Sequence, residues 1–154
     1  MSSCVTPTAF YSRGNKREST ALFFIPGNPG LIAYYHVFLS LVSERLSGAF
    51  QVYGRSLGGF LDPETRLNLE EQIVFVQGLL NDFMTERQKV ILIGHSVGAY
   101  IAMELLRRHR QQSSADFDII GGIMLFPTVV DIAKSASGQK LTVGDFRTVM
   151  EYTY

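Results

Sequence analysis

The sequence predicts an α/β fold: a mostly parallel sheet with helices on both faces. Short apolar runs rich in strand-forming residues stand at 21–25 (ALFFI), 49–53 (AFQVY), 89–93 (KVILI) and 117–126. Stretches of helical period lie between and after them, so strands and helices alternate. That alternation calls for parallel strands joined by right-handed crossovers.

The run at 21–25 is apolar throughout and closes on Pro26-Gly27-Asn28-Pro29-Gly30, as a fully buried strand ending in a backbone-rich loop would. The stretch YYHVFLSLVSERL that follows is helical, with Tyr35, Phe38 and Val42 along one face. After the strand at 49–53, GRSLGGFLDPETR is crowded with breakers and reads as a loop. Asn68 then stands as an N-cap with Glu71 at the third helical position. Leu69, Ile73, Val76, Leu80 and Phe83 repeat every three or four residues on a helix running to about Thr85. A helix from Val97 to about Arg110 follows the β-branched strand at 89–93, which is expected at the centre of the sheet. The strand at 117–126 is ended by Pro127. The stretch from Val129 to Tyr154 has weak periodicity and no capping or turn signal at its end, so the chain reads as one partial domain, 1–154, truncated at its C-terminal side.

Composition bounds the rest. With 46% hydrophobic and 18% charged residues, 154 residues make one globular core. The net charge of zero, with Arg107, Arg108 and Arg110 as the one basic cluster, argues against nucleic acid. A single cysteine, Cys4, forms no intrachain disulfide and points to a reducing compartment. The N-terminus carries no secretory pattern, so the chain is expected on the cytosolic side. The longest apolar window, Ile119 to Val130, is well short of the roughly 20 residues of a spanning helix, so membrane contact would be peripheral.

The pattern Gly-x-Ser-x-Gly occurs twice, around Ser56 and around Ser96. A nucleophilic serine needs a tight strand-to-helix turn that lifts its hydroxyl clear of the sheet, with flanking glycines that let strand and helix cross closely. Ser96, between Gly94 and Gly98, has a strand before it and a long helix after it. Ser56 is followed by Gly-Gly-Phe and Asp-Pro, which cannot open a helix, and reads as a loop serine. The competing role for Ser96 is a plain helix cap in a nucleotide-binding domain. Neither a Gly-x-Gly-x-x-Gly fingerprint nor a Gly-Lys-Ser/Thr phosphate loop is present, and no metal or cofactor is expected. Oxyanion donors would be the N–H of Val97, at the positive end of the following helix, and that of Asn28 in the rigid loop between Gly27 and Pro29. A plain turn is the alternative for that loop.

Ile25-Pro26-Gly27-Asn28-Pro29-Gly30, Gly94-His95-Ser96-Val97-Gly98-Ala99-Tyr100 and Leu125-Phe126-Pro127-Thr128, followed by Asp131-Ile132-Ala133-Lys134-Ser135 and Gly138, together resemble the lipid droplet-associated hydrolases of the α/β-hydrolase superfamily. The resemblance covers residues 21 to about 141 and the N-terminal half of that family's domain. It implies a serine ester hydrolase acting on neutral lipid or sterol esters, placed peripherally on lipid droplets and the endoplasmic reticulum, on their cytosolic face. It puts the nucleophile on Ser96 and the oxyanion donors on Asn28 and Val97. One departure stands out: a Ser-His-x-Gly-His type segment is expected after the second strand, and Ser56-Leu57-Gly58-Gly59-Phe60 has neither histidine.

In such a fold the acid and histidine follow the serine. Of the three histidines, His36 precedes Ser96, His95 is its neighbour and is turned away, and His109 lies about 20 Å of helical rise beyond it. Asp131 follows the strand ending at Phe126, where some α/β-hydrolases take their acid, and Asp116, Asp118 and Asp145 have less claim. Without a histidine Asp131 has nothing to orient and reads as structural. The acid and histidine are therefore expected beyond Tyr154. The other reading is a catalytically inactive fragment that binds a lipid surface or a partner. Truncation would also leave the strand ending at Phe126 as an open, apolar edge, available for self-association.

Overall fold

The computed structural model describes residues 3–14, 20–59, 67–84, 88–111 and 116–128. Asp131 and Asp145 lie outside them. The strands are β1 (Ser3–Thr6), β2 (Ala9–Ser12), β3 (Ala21–Ile25), β4 (Gln51–Arg55), β5 (Lys89–His95) and β6 (Asp118–Leu125). The helices are α1 (His36–Arg45), entered through a 3-10 turn at Ile32–Tyr35, α2 (Leu69–Phe83) and α3 (Val97–Gln111). The sheet runs β1-β2-β4-β3-β5-β6. β4, β3, β5 and β6 are parallel, while β1 and β2 join as an antiparallel hairpin against β4.

The sheet divides the core in two, and β3 shows why its residues are apolar throughout. Successive side chains point to opposite faces. Ala21, Phe23 and Ile25 pack under α2 and α3 with Ile73, Val76, Leu80, Ile101 and Leu105. Leu22 and Phe24 pack on the other face with Phe10, Val52, Leu39 and Ile32. The helices thus cover both faces as expected. α2 opens with the anticipated capping box, in which the Glu71 N–H donates to Asn68 Oδ1 and the Asn68 N–H to Glu71 Oε2. Arg107 and Arg108 both pair with Glu104 and hold its carboxyl down to about 2, and Arg108 also reaches Glu70 on α2. The basic cluster is thereby largely neutralised and ties α3 to α2.

Several expectations need correction. The hairpin at 3–12 adds two strands to the four expected, and its inward Ser12 is buried with its hydroxyl 2.6 Å from that of Ser43 on α1. The second strand is Gln51–Arg55, not 49–53. Gly54 read as a breaker, yet its missing side chain makes room for Ile32, whose Cδ1 would lie 2.7 Å from a Cβ there. The helix after the first loop begins as a 3-10 turn, which brings Ile32 and Tyr35 to one side ahead of Leu39. Phe38, expected along one face with Tyr35 and Val42, is 40% exposed. β5 is longer than expected, and of the four parallel strands it is an inner one, flanked by β3 and β6.

Candidate active site

β5 ends at His95, α3 begins at Val97, and Ser96 alone makes the turn, with φ 53°. A left-handed serine costs on the order of 1–3 kcal/mol and persists only where its surroundings hold it. Three backbone bonds do so. The Ser96 N–H donates to the Leu125 carbonyl at 3.0 Å, and the Ser96 carbonyl accepts from Ala99 at 3.0 Å and from Thr128 at 3.3 Å.

The glycines are required by contact. A Cβ at Gly94 would strike the Gly98 carbonyl oxygen and the Ala99 backbone, and one at Gly98 would strike the carbonyl oxygens of Ile25 and Pro26. Strand, helix and the loop after β3 therefore meet backbone to backbone. Gly27 completes the contact, since a Cβ there would lie 2.8 Å from Ser96 Cβ and 2.7 Å from His95 Nδ1.

The loop Pro26–Gly30 is held from within and without. The Gly27 N–H donates to the Tyr35 hydroxyl at 3.2 Å, the Gly30 N–H to the Gly27 carbonyl at 2.7 Å, and the Leu57 N–H to the Gly30 carbonyl at 2.8 Å. Among the described residues the Asn28 N–H is thus the loop amide left uncommitted, on an exposed residue. The Val97 N–H, first of α3, is one of the helix-start amides that no carbonyl of the helix can satisfy.

The second Gly-x-Ser-x-Gly has a different role. Ser56 is buried, and its Oγ accepts the Ile32 N–H at 3.0 Å. It fastens the 3-10 turn behind the loop. Ser56→Ala would strand the Ile32 amide and is expected to lower unfolding free energy by about 1–3 kcal/mol in urea titration. The fold-level cause is testable, because Ser56→Thr, which retains the hydroxyl, should recover part of that loss.

None of the three histidines serves Ser96. His36 packs against Phe10 of β2, across the sheet from β5. His95 turns its Nδ1 to the Tyr35 hydroxyl at 2.9 Å, and its ring makes a T-shaped pair with Phe126. His109 accepts the Ile119 N–H and stacks on Phe117. The partner of Ser96 Oγ is instead Thr128 Oγ1, at 3.2 Å. Tyr35 and Thr128 were not singled out from the sequence. Tyr35 read as one position along a helix face, and Thr128 as the last residue of a block carrying the family resemblance. Among the described residues no group of three or more His, Cys, Asp or Glu is placed to hold a metal ion.

Over residues 18–154 the chain matches the family described as lipid-droplet associated hydrolase. The lipid droplet-associated hydrolase of Gallus gallus is 27% identical over 148 residues, which cover 85% of this chain and 44% of that protein. The Homo sapiens protein of the same name is 27% identical over 151 residues, covering 86% of this chain and 45% of that protein. The chain thus spans less than half the length of either relative. Among solved structures, MGS-MChE2, an alpha/beta hydrolase enzyme from a sediment metagenome, superposes on 98% of this chain and 62% of its own with a TM-score of 0.58 at 14% identity, a likeness of fold. No helix among the described residues is long and apolar enough to cross a membrane. The match over residues 18–154 shows that the chain belongs to the lipid droplet-associated hydrolase family.

Proposed function

We propose that this chain is the nucleophile-bearing part of a serine ester hydrolase domain, with Ser96 as nucleophile and the N–H groups of Val97 and Asn28 as oxyanion donors. The observation that carries this is the left-handed Ser96 between β5 and α3, packed against a loop whose one uncommitted amide is Asn28. Preorganised donors of this kind stabilise the charge of a tetrahedral intermediate. The relatives' name supports a hydrolase that works at lipid droplets. Within that, the substrate we propose is a neutral lipid or sterol ester, met peripherally on lipid droplets and the cytosolic face of the endoplasmic reticulum. Exposed Tyr34, Val37 and Leu41, spaced along the helix that follows the loop, supply an apolar stripe suited to such a surface. A form extended by an acid and a histidine is expected to hydrolyse p-nitrophenyl and sterol esters and to take a fluorophosphonate on Ser96. Ser96→Ala should abolish both, and retention of either would overturn the assignment.

A second reading is favoured by one observation: Ser96 Oγ is bonded to Thr128 and to no histidine. By it the 154-residue chain is inactive alone and acts by binding.

The open edge bears on both readings. β6 pairs only with β5 among the described residues, and Ile120, Ile123 and Phe126 are 48%, 47% and 86% exposed. Unpaired strand edges with apolar side chains associate. The isolated chain is expected to form concentration-dependent oligomers by light scattering, and Ile123→Lys to reduce them. A monodisperse monomer at high concentration would refute the open edge.

A further inference from the structure

We propose that Tyr35 is a positioning residue, which ties the loop Pro26–Gly30 to His95 and thereby sets the Asn28 N–H at the height of the Ser96 turn. The inference rests on the reading of Ser96 as nucleophile and Asn28 as donor, and adds to it the residue that holds the donor in place.

The geometry is a two-sided junction. Tyr35 comes from the 3-10 turn after the loop, and its ring lies against Phe24 of β3, centroids 4.7 Å apart, and against His95 of β5 at 5.6 Å. Its hydroxyl therefore stands between the ends of two neighbouring parallel strands. From one it takes the Gly27 N–H at 3.2 Å, and at the other it meets His95 Nδ1 at 2.9 Å. A phenol has one proton and two lone pairs. With Gly27 donating to the oxygen, the hydroxyl still has its proton to give to Nδ1 and a second lone pair to accept from it, so it bridges loop and imidazole in either tautomer of His95. Burial pushes the phenol upward, against a smaller downward pull from the Gly27 bond, so it remains a donor at neutral pH.

The consequence falls on Asn28. The loop makes no regular ladder, so its position depends on the few bonds it has. Gly27 is held at its nitrogen by Tyr35 and at its carbonyl by Gly30, and Gly30 is held in turn by Leu57. Asn28 lies between two fixed glycines with its own amide free. Without the hydroxyl the N-terminal anchor is lost while the C-terminal one remains. An amide that must sit within hydrogen-bond distance of a developing oxyanion loses most of its effect when displaced by about 1 Å.

Tyr35→Phe removes the hydroxyl and retains the ring packing. In Pro26–Gly30 only Gly27, Asn28 and Gly30 carry an exchangeable amide, because proline has none. Hydrogen exchange of that segment in the 154-residue chain is therefore close to a residue-level measurement. In Tyr35→Phe the Gly27 amide is expected to exchange at least tenfold faster, with the Gly30 amide little changed. Tyr34→Phe, at an exposed neighbouring ring, should leave all three as they are. An unchanged Gly27 rate in Tyr35→Phe would overturn the junction. The catalytic consequence is read in the extended form: kcat per titrated Ser96 should fall about tenfold with KM within twofold. His95→Asn, whose amide stands near the place of Nδ1, should recover activity lost in His95→Ala. Ser96-dependent hydrolysis with unchanged kcat in Tyr35→Phe would overturn this inference alone. Absence of any Ser96-dependent hydrolysis would overturn the functional reading beneath it.

Discussion

The 154-residue chain by itself is expected to turn over p-nitrophenyl esters on the order of 10⁶-fold more slowly than a form completed with an acid and a histidine. The reason is the state of the Ser96 hydroxyl. Its partner at 3.2 Å is the hydroxyl of Thr128, which can share a proton but cannot take one up as a base at neutral pH. His95 is adjacent in sequence, but its Nδ1 is committed to the Tyr35 hydroxyl. His36 and His109 are engaged elsewhere in the fold. The Val97 and Asn28 amides would retain about 10³ to 10⁴ over water, through oxyanion binding alone. A fluorophosphonate should accordingly leave Ser96 unlabelled in the short chain and label it in the completed one, as mass spectrometry of the intact protein would show. Robust turnover by the short chain that disappears in Ser96→Ala would refute the incomplete triad, and His36→Gln would then be the first variant to assay.

The largest effect on stability is expected at Gly98. Its Cα faces the carbonyl oxygens of Ile25 and Pro26 so closely that an added methyl would overlap both. Side chains can rotate away from a new neighbour, but these atoms are backbone, held in β3 and in the first bond of the loop. Either α3 lifts from the sheet or the loop moves away from the elbow. Overpacking of a tight site costs about 1–3 kcal/mol and more where the neighbours cannot yield. Gly98→Ala is expected at or above the upper end of that range, measured as a shift of the urea midpoint. It should also impair Ser96 reactivity in the completed form beyond the loss of folded protein, since the displaced loop carries Asn28. A midpoint within experimental scatter of the parent would show that the elbow tolerates a wider crossing.

Much of this was legible without coordinates. The strand–serine–helix arrangement is local: Gly94, Ser96 and Gly98 lie within five residues, and their roles follow from the turn they must make. The Asn68–Glu71 capping box is equally local, and the structure forms both of its bonds. The reading faltered where a residue's local signal and its tertiary role differ. Gly54 punctuates a sequence, yet here it continues a strand because Ile32 needs the space. The strand Ala9–Ser12 is not among those expected, and its buried polar residue, Ser12, is satisfied by Ser43 from a distant helix. β5 lies inside the parallel set as expected, flanked by β3 and β6.

The sequence by itself determined the class of fold, the strand–serine–helix turn at Ser96, and a total of three histidines. These depend on periodicity, on spacing along the chain and on counting, all of which are properties of a string. Only the tertiary structure decided that Ser56 is a fastener, that Tyr35 joins the loop to His95, and that Thr128 meets Ser96. Those contacts join residues 24, 60 and 32 positions apart. Such hydrogen bonds depend on the placement of one or two polar atoms, which leaves no periodic trace in a sequence, and on strand order, which fixes the ends that become neighbours.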